Sequence, residues 1–404
     1  MSDKNAGWHK RLNDIMPWGS GTCSKAAIYH PDEPAVITRG KGCRVWDADG
    51  REYIDFRNGL GPVTLGHAYP EVNAAITEQL EKGIIFGHPA PLECEIAEII
   101  CRTIPSAQKA RFLKTGGEAC AACVKIARAY TGRDRIIQVG YNGWLNGIAR
   151  DSRILPGQSI AGSPKGVPDA VSGLFHACGW NDMEKISQLF DEYKGQIAAV
   201  MIACDYADIE KGHAFYPFLR KITKENDALL ICDEIVMGMR IAYGGAHEYF
   251  GFTPDLFVLS KGIANGMPLS VYAGRAEVMD VCDRAGGAVI SSTFAGELLS
   301  LAAAKACFEI YRRENVIGHL WRQGKRMKDG LNGIFNRKGL SVEVKSLDPV
   351  TAFVFGNHSL AEPFYRAAYR NGVALYGISY VNFSHKEDDI NEAIDRINRA
   401  CEEI

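Results

Sequence analysis

No stretch of this chain stays apolar over the roughly 20 residues that a bilayer-spanning helix needs. Nor does it contain a run of five or more basic residues, and its formal net charge is only -2. The first absence excludes a membrane span; the second leaves no general electrostatic case for nucleic acid. The opening Met1-Ser2-Asp3-Lys4-Asn5 lacks the apolar core and small-residue cleavage site of a secretory leader, so a cytoplasmic location is expected. Cys120 and Cys123 have the spacing of half a zinc site, but no second CxxC and no HxxxH accompanies them, so no metal is expected there. Twelve cysteines scatter through apolar runs such as Leu229-Leu230-Ile231-Cys232, and in a chain that is not exported they read as small reduced hydrophobes. Internal repeats and low-complexity linkers are also missing.

What is present is enough apolar material for a sizeable core: 47% hydrophobic and 23% charged residues over 404 positions, a length that favours one large domain with a smaller companion. Short apolar runs at Arg135 to Val139, Ile197 to Ile202, Ala228 to Cys232 and Leu256 to Leu259 read as buried parallel strands. Helical candidates lie between them, at Met183 to Tyr193 and Phe218 to Asn226. Strand and helix in alternation predict an α/β domain with a mostly parallel sheet. Before Leu60 the chain reads as strand and turn, with a turn at Arg39-Gly40-Lys41-Gly42 and a hairpin signal at Asp49-Gly50. A helical stretch from Glu297 to Asn315, β runs at Val342 to Val344 and Ala352 to Phe355, and a final amphipathic segment with Ile390, Ile394 and Ile397 on one face follow at the other end. Both termini are expected to form one smaller α+β domain, residues 1–60 with 297–404, around a large domain of residues 61–296.

Two residues follow directly on strands. Asp233 comes after Leu229 to Cys232, and Lys261 after Leu256 to Leu259 with only Ser260 between. Both are expected at carboxyl ends of parallel strands, where open α/β sheets build their sites. A lysine there can form an imine with an aldehyde cofactor, and a carboxylate can keep a pyridine nitrogen protonated so that the ring accepts electrons. Lys114-Thr115-Gly116-Gly117-Glu118 opens a helix predicted to reach about Tyr130; two glycines and a helix N-terminus make a phosphate cradle, or an ordinary cap and turn. Tyr141-Asn142-Gly143-Trp144, past the strand ending at Val139, offers an aromatic to stack on a planar group, or simply to pack. Ser291-Ser292-Thr293-Phe294-Ala295-Gly296 offers hydroxyls for a phosphate, or a cap for the helix that follows. Arg57 and Arg240 are open to two readings, carboxylate recognition or structural ion pairing.

Taken together and in this order, these elements resemble class III aminotransferases of fold type I, pyridoxal 5'-phosphate (PLP) enzymes, and most closely the glutamate-1-semialdehyde aminomutase branch. The resemblance runs from Trp46-Asp47-Ala48-Asp49-Gly50 to Ser384-His385-Lys386-Glu387-Asp388-Asp389-Ile390. It is strongest in Leu230-Ile231-Cys232-Asp233-Glu234-Ile235-Val236-Met237-Gly238-Met239-Arg240 and Leu259-Ser260-Lys261-Gly262-Ile263-Ala264-Asn265-Gly266-Met267-Pro268-Leu269. It implies that Lys261 carries the cofactor as a Schiff base and shuttles the proton, and that Asp233 pairs with the pyridinium nitrogen. It further implies Ile235 on one ring face, Tyr141 on the other with Asn142 beside it, and Thr115, Gly116 and Gly117 at the phosphate. Thr293 is implied to reach the phosphate of a neighbouring subunit in a homodimer.

Several positions depart from that family. Asn142 stands where histidine usually follows the aromatic, Gly117 replaces a threonine, and Ala203-Cys204 replaces Glu-Pro. Thr22-Cys23-Ser24-Lys25-Ala26 lacks the arginine with which the aminomutases bind their substrate carboxylate, and Leu375 to Val381 lacks their acidic residue. Cofactor positions persist while substrate positions change. The reading is therefore a ping-pong transaminase moving an amino group from a small-molecule donor to a keto or aldehyde acceptor, with an intramolecular aminomutase as the alternative. A binding protein that has lost its chemistry is a third reading, opposed by the intact Lys261 and Asp233.

Overall fold

The computed structural model describes residues 3–145 and 163–404. The chain divides into two compact units, one of residues 1–73 with 310–404, the other of residues 74–309.

Seven strands form the sheet of the second unit: β1 Lys109–Leu113, β2 Arg135–Val139, β3 Phe175–Cys178, β4 Ile197–Ala203, β5 Leu229–Asp233, β6 Leu256–Leu259 and β7 Ser270–Gly274. Their order across the sheet is β1-β7-β6-β5-β4-β2-β3. Every residue of β4, β5 and β6 is buried, which is why these segments read as unbroken apolar runs rather than alternating ones. β2 to β6 pair in parallel, and β7 runs antiparallel to both β6 and β1. β1 and β6 therefore point the same way, and the chain leaves β1, β2, β4, β5 and β6 along one edge of the sheet.

A helix, Gly116–Thr131, lies on this sheet. The residues it buries are mostly small (Ala119, Cys120, Ala122, Cys123, Ala127), so its axis approaches Leu229, Ile231, Leu256 and Val258 closely. Gly132, with φ +66°, ends it in the left-handed conformation that glycine adopts without a Cβ penalty.

The other unit takes residues from both ends of the chain. Ile37–Lys41, Arg44–Asp47 and Glu52–Asp55 make an antiparallel meander, completed by Val373–Ala374 in parallel. A second sheet joins Val342–Lys345, Val350–Phe355 and Ile378–Tyr380. Arg44 binds Glu52 at 2.6 Å, Asp389 at 2.8 Å and Glu392 at 2.7 Å, tying the meander to the helix Glu387–Ala400.

Three details differ from the sequence reading. The chain begins with a helix, Asp3–Ile15, where only strand and turn were expected; it is exposed along most of its length, and its helically spaced Trp8, Leu12 and Ile15 are few among polar residues. The first strand continues through Lys41, and the reversal falls at Gly42 (φ +60°) and Cys43. β3 and β7 went unread because each is short, with His176 inside the first and only three apolar residues between Ser270 and Gly274 in the second. Among the described residues no helix is long and apolar enough to cross a membrane.

Candidate active site

Asp233 ends β5, and its side chain is buried with 8% of its surface exposed. One carboxylate oxygen accepts the Ile235 N–H at 3.1 Å. The other accepts the Asn142 side-chain amide at 3.2 Å and faces the Cys120 thiol at 3.6 Å. Burial raises the Asp233 pKa to about 6, against the hydrogen bonds from Ile235 and Asn142 and the charge of Lys261. A buried carboxylate held by neutral dipoles is a site prepared for a cation.

Lys261 follows β6 with φ +39°, a left-handed backbone that side-chain-bearing residues rarely adopt. Just before it, the Ser260 hydroxyl donates to Leu269 O at 2.8 Å, stapling the loop between β6 and β7. Burial lowers the Lys261 pKa to about 8; Asp233 opposes that shift and the Arg240 guanidinium adds to it. A lysine lowered this far keeps a substantial minority of its amine neutral near physiological pH, the form that attacks a carbonyl.

From β1 the chain enters the helix Gly116–Thr131 through a reciprocal cap. Thr115 Oγ1 accepts Glu118 N at 3.4 Å, while the Glu118 carboxylate accepts Thr115 N at 2.8 Å and the Thr115 hydroxyl at 3.0 Å. The Thr115 hydroxyl is thereby turned to Glu118. The Gly116 and Gly117 amides lie in the first helical turn, where no intrahelical acceptor exists, and the helix dipole adds positive potential. A β-carbon at Gly116 would run into the Ile235 side chain, whereas one at Gly117 would meet only Gly143 and Leu145 at 3.9 Å. Gly116 is therefore glycine for close approach; Gly117 has room to spare.

Of the residues singled out in the sequence, Asp233, Asn142, Ile235, Gly116 and Gly117 gather here, and Lys261 acts electrostatically on Asp233. Tyr141 lies beside Asn142 with its ring exposed. Thr293 sits on an exposed turn ahead of the helix Leu298–Glu314. Cys204 is turned to the buried Tyr216 hydroxyl at 2.9 Å. Arg57 belongs to the other unit, where it pairs with Glu33 and donates to the Tyr369 hydroxyl at 2.9 Å and to Ser24 O at 2.8 Å, so it is structural there. Arg240 is fully buried and donates from Nε to Val236 O at 3.0 Å.

Cys120 was not legible as a neighbour of Asp233, because that contact depends on helix-to-sheet register. Equally hidden was a buried brace behind Asp233. Glu234 accepts Ala246 N at 2.8 Å, His247 N at 3.0 Å and His247 Nδ1 at 3.1 Å, and His247 Nε2 meets the Ser106 hydroxyl at 2.8 Å.

The profile of the family "Aminotransferase class-III" matches residues 27–401. This chain belongs to the class-III aminotransferases. The aminotransferase is similar in structure to a transaminase with PLP bound, 26% identical at a TM-score of 0.90, the match covering 100% of this chain and 98% of that one. It is also similar to an omega-transaminase from Sphaerobacter thermophilus, 26% identical at 0.88, over 99% and 97% of the two chains. A glutamate-1-semialdehyde-aminomutase from Pseudomonas aeruginosa PAO1 shares the fold at 21% identity and a TM-score of 0.82, over 99% and 94%. The aminotransferase has the fold-type I architecture of PLP-dependent transferases, and its activity is PLP-dependent transamination.

The residues fit that cofactor. Asp233 is a desolvated acceptor for a ring N–H, and Asn142 Oδ1 beside it is a buried acceptor with no hydrogen-bond partner. The Gly116-Gly117 turn offers amides to a phosphate, and Lys261 offers an amine to an aldehyde.

Proposed function

We propose that this class-III aminotransferase transfers an amino group from a small-molecule amino donor to a keto or aldehyde acceptor by a ping-pong mechanism, with Lys261 as cofactor anchor and proton carrier. The observation that carries this reading is the placement of Lys261 and the desolvated Asp233 at the carboxyl ends of adjacent parallel strands, on one edge of the sheet. Bound PLP supplies an aldehyde to receive the amino group and a ring that accepts the electron pair of the substrate carbon.

The rest is the work of the chain. Asp233 holds a proton on the ring nitrogen by staying ionised. Gly116 and Gly117, with Thr115 at the cap, orient the phosphate through the helix N-terminus. Ile235 and Tyr141 confine the ring between them, Ile235 being fixed against Gly116. With the cofactor bound, Lys261 would take the proton from the substrate carbon as a base and give it back as an acid. Its depressed pKa suits both directions.

A homodimer in the cytoplasm completes the reading. Thr293 is exposed beside an exposed Phe294, and Ile84, Ile85, Phe86 and Val289 of the same unit also present large apolar surfaces. Such surface, with a hydroxyl at its edge, supports a second subunit that receives Thr293 at its own phosphate site. The absence of the aminomutase arginine at positions 22–26 supports transfer between two substrates over internal rearrangement.

The test is reductive trapping. Protein loaded with PLP is expected to absorb in the visible range, to bleach on addition of an amino donor, and after borohydride to carry the label on Lys261. Lys261→Ala is expected to lose turnover by roughly 10³-fold or more. A wild-type rate in that variant, or a label on another side chain, refutes the assignment.

A further inference from the structure

We infer that Asn142 is a positioning residue for the reaction: its side-chain amide aims the Asp233 carboxylate and keeps it ionised while never changing charge itself. The inference rests on the reading of Asp233 as partner of the ring nitrogen and goes beyond it by assigning what governs that aspartate.

Among the described residues Asp233 has three donors: the Ile235 main chain at 3.1 Å, the Asn142 amide at 3.2 Å and the Cys120 thiol at 3.6 Å. The first is fixed by the turn after β5 and comes with any residue at 235. The third is a weak donor at long range. Asn142 is the one strong side-chain donor of the three. It is 1% exposed and comes from the loop after a different strand, β2, so its hold on the carboxylate is independent of the turn that carries Asp233.

Its orientation is also determined. The carboxylate demands a donor, so Nδ2 faces Asp233 and Oδ1 turns away, where it is buried without a partner.

The titratable groups facing Asp233 are Lys261 after β6, Cys120 and Cys123 on the helix Gly116–Thr131, and Cys204 after β4. Burial pushes all three thiols far up, so they stay neutral. Lys261 is the one of these that brings positive charge, and the dipoles of Asn142 and Ile235 act on the aspartate whatever the state of that amine. An imidazole in place of Asn142 would titrate in the same pH range as the reaction; an amide does not.

The experiment uses two readouts. In the apoenzyme with ¹³C-labelled aspartate, infrared difference spectra follow the Asp233 carboxyl through pH, assigned by Asp233→Asn. Asn142→Leu is expected to raise its proton affinity by roughly tenfold, the effect of one hydrogen bond to a charged group. In the loaded enzyme with ¹⁵N in the PLP ring, Asn142→Leu shifts the ring nitrogen toward its neutral resonance at pH 8. Asn142→His restores the protonated resonance and adds a second titration between pH 5 and 8 to kcat. Should circular dichroism show Asn142→Leu misfolded, Asn142→Ala serves for the same comparison. An unchanged Asp233 titration together with an unchanged ring resonance overturns the inference. A wild type that takes up no PLP overturns the reading of the site instead, and the apoenzyme titration still decides the role of Asn142.

Discussion

His385 shows at the scale of one residue how burial decides protonation. Its Nδ1 accepts the Asn382 N–H at 2.9 Å, its ring stacks on Phe56 at 4.4 Å between centroids, and its Nε2 is buried without a partner. Burial lowers its pKa to about 4. The unfolded chain binds that proton below about pH 6.5 and the native one does not, so stability is full above 6.5 and falls as the pH drops toward 4. Between pH 7 and pH 5 the difference amounts to about 2 kcal/mol at 1.36 kcal/mol per unit. Urea unfolding of His385→Gln is expected to show a pH 7 to 5 loss smaller than wild type by that amount; equal losses would exclude His385 as the source. The same physics separates the lysine from the aspartate of the active site. Burial disfavours charge in both, lowering one pKa and raising the other, and so brings them into the range where protons move at neutral pH.

At the scale of elements, the turn entering the helix Gly116–Thr131 gives the sharpest contrast. Gly116→Ala forces its new methyl into Ile235, and Gly117→Ala meets only ordinary contacts. Fluorescence titration of the apoenzymes with PLP is expected to show a loss of about tenfold or more for Gly116→Ala and a change under about threefold for Gly117→Ala, in line with the cost of overpacking. Comparable losses for the two would show that amide exposure, not close packing, governs the turn. This element also marks what the sequence made legible. Thr115 and Glu118 spell a capping box in plain text, and β4, β5 and β6 are unbroken apolar runs because both sheet faces are covered. Asp233 and Lys261 could be placed because they terminate such runs. β1, whose outer residues Lys109 and Arg111 are exposed, and β7, where Ser270 and Gly274 flank three apolar residues, carry no such signal. Cys120 escaped notice because nothing local distinguishes it from Cys123; the turn of the helix against β5 does.

For the molecule as a whole, the prediction concerns assembly. Val289, Phe294 and the run Ile84-Ile85-Phe86 are exposed apolar residues of one unit, and Leu298 N donates to Ile84 O at 2.9 Å, so the run lies beside the start of the helix Leu298–Glu314. Sedimentation equilibrium is expected to give a dimer for the wild type and a shift toward monomer, with weaker PLP binding, for the double variant Phe86→Ser/Phe294→Ser. A wild-type monomer that turns over at full rate would sink the shared-site reading. Charge composition and the missing apolar spans left the fold open, and only the order of motifs along most of the chain narrowed it.

The left-handed φ at Lys261 bears on how the anchor is to be tested. Alanine would inherit the same backbone penalty of about 1 kcal/mol, whereas glycine would be relieved of it. Glycine at 261 would thus couple lost chemistry to a relaxed hinge between β6 and β7, and alanine removes the amine alone. The chain tolerates an uncomfortable backbone at the one position whose side chain it can least exchange.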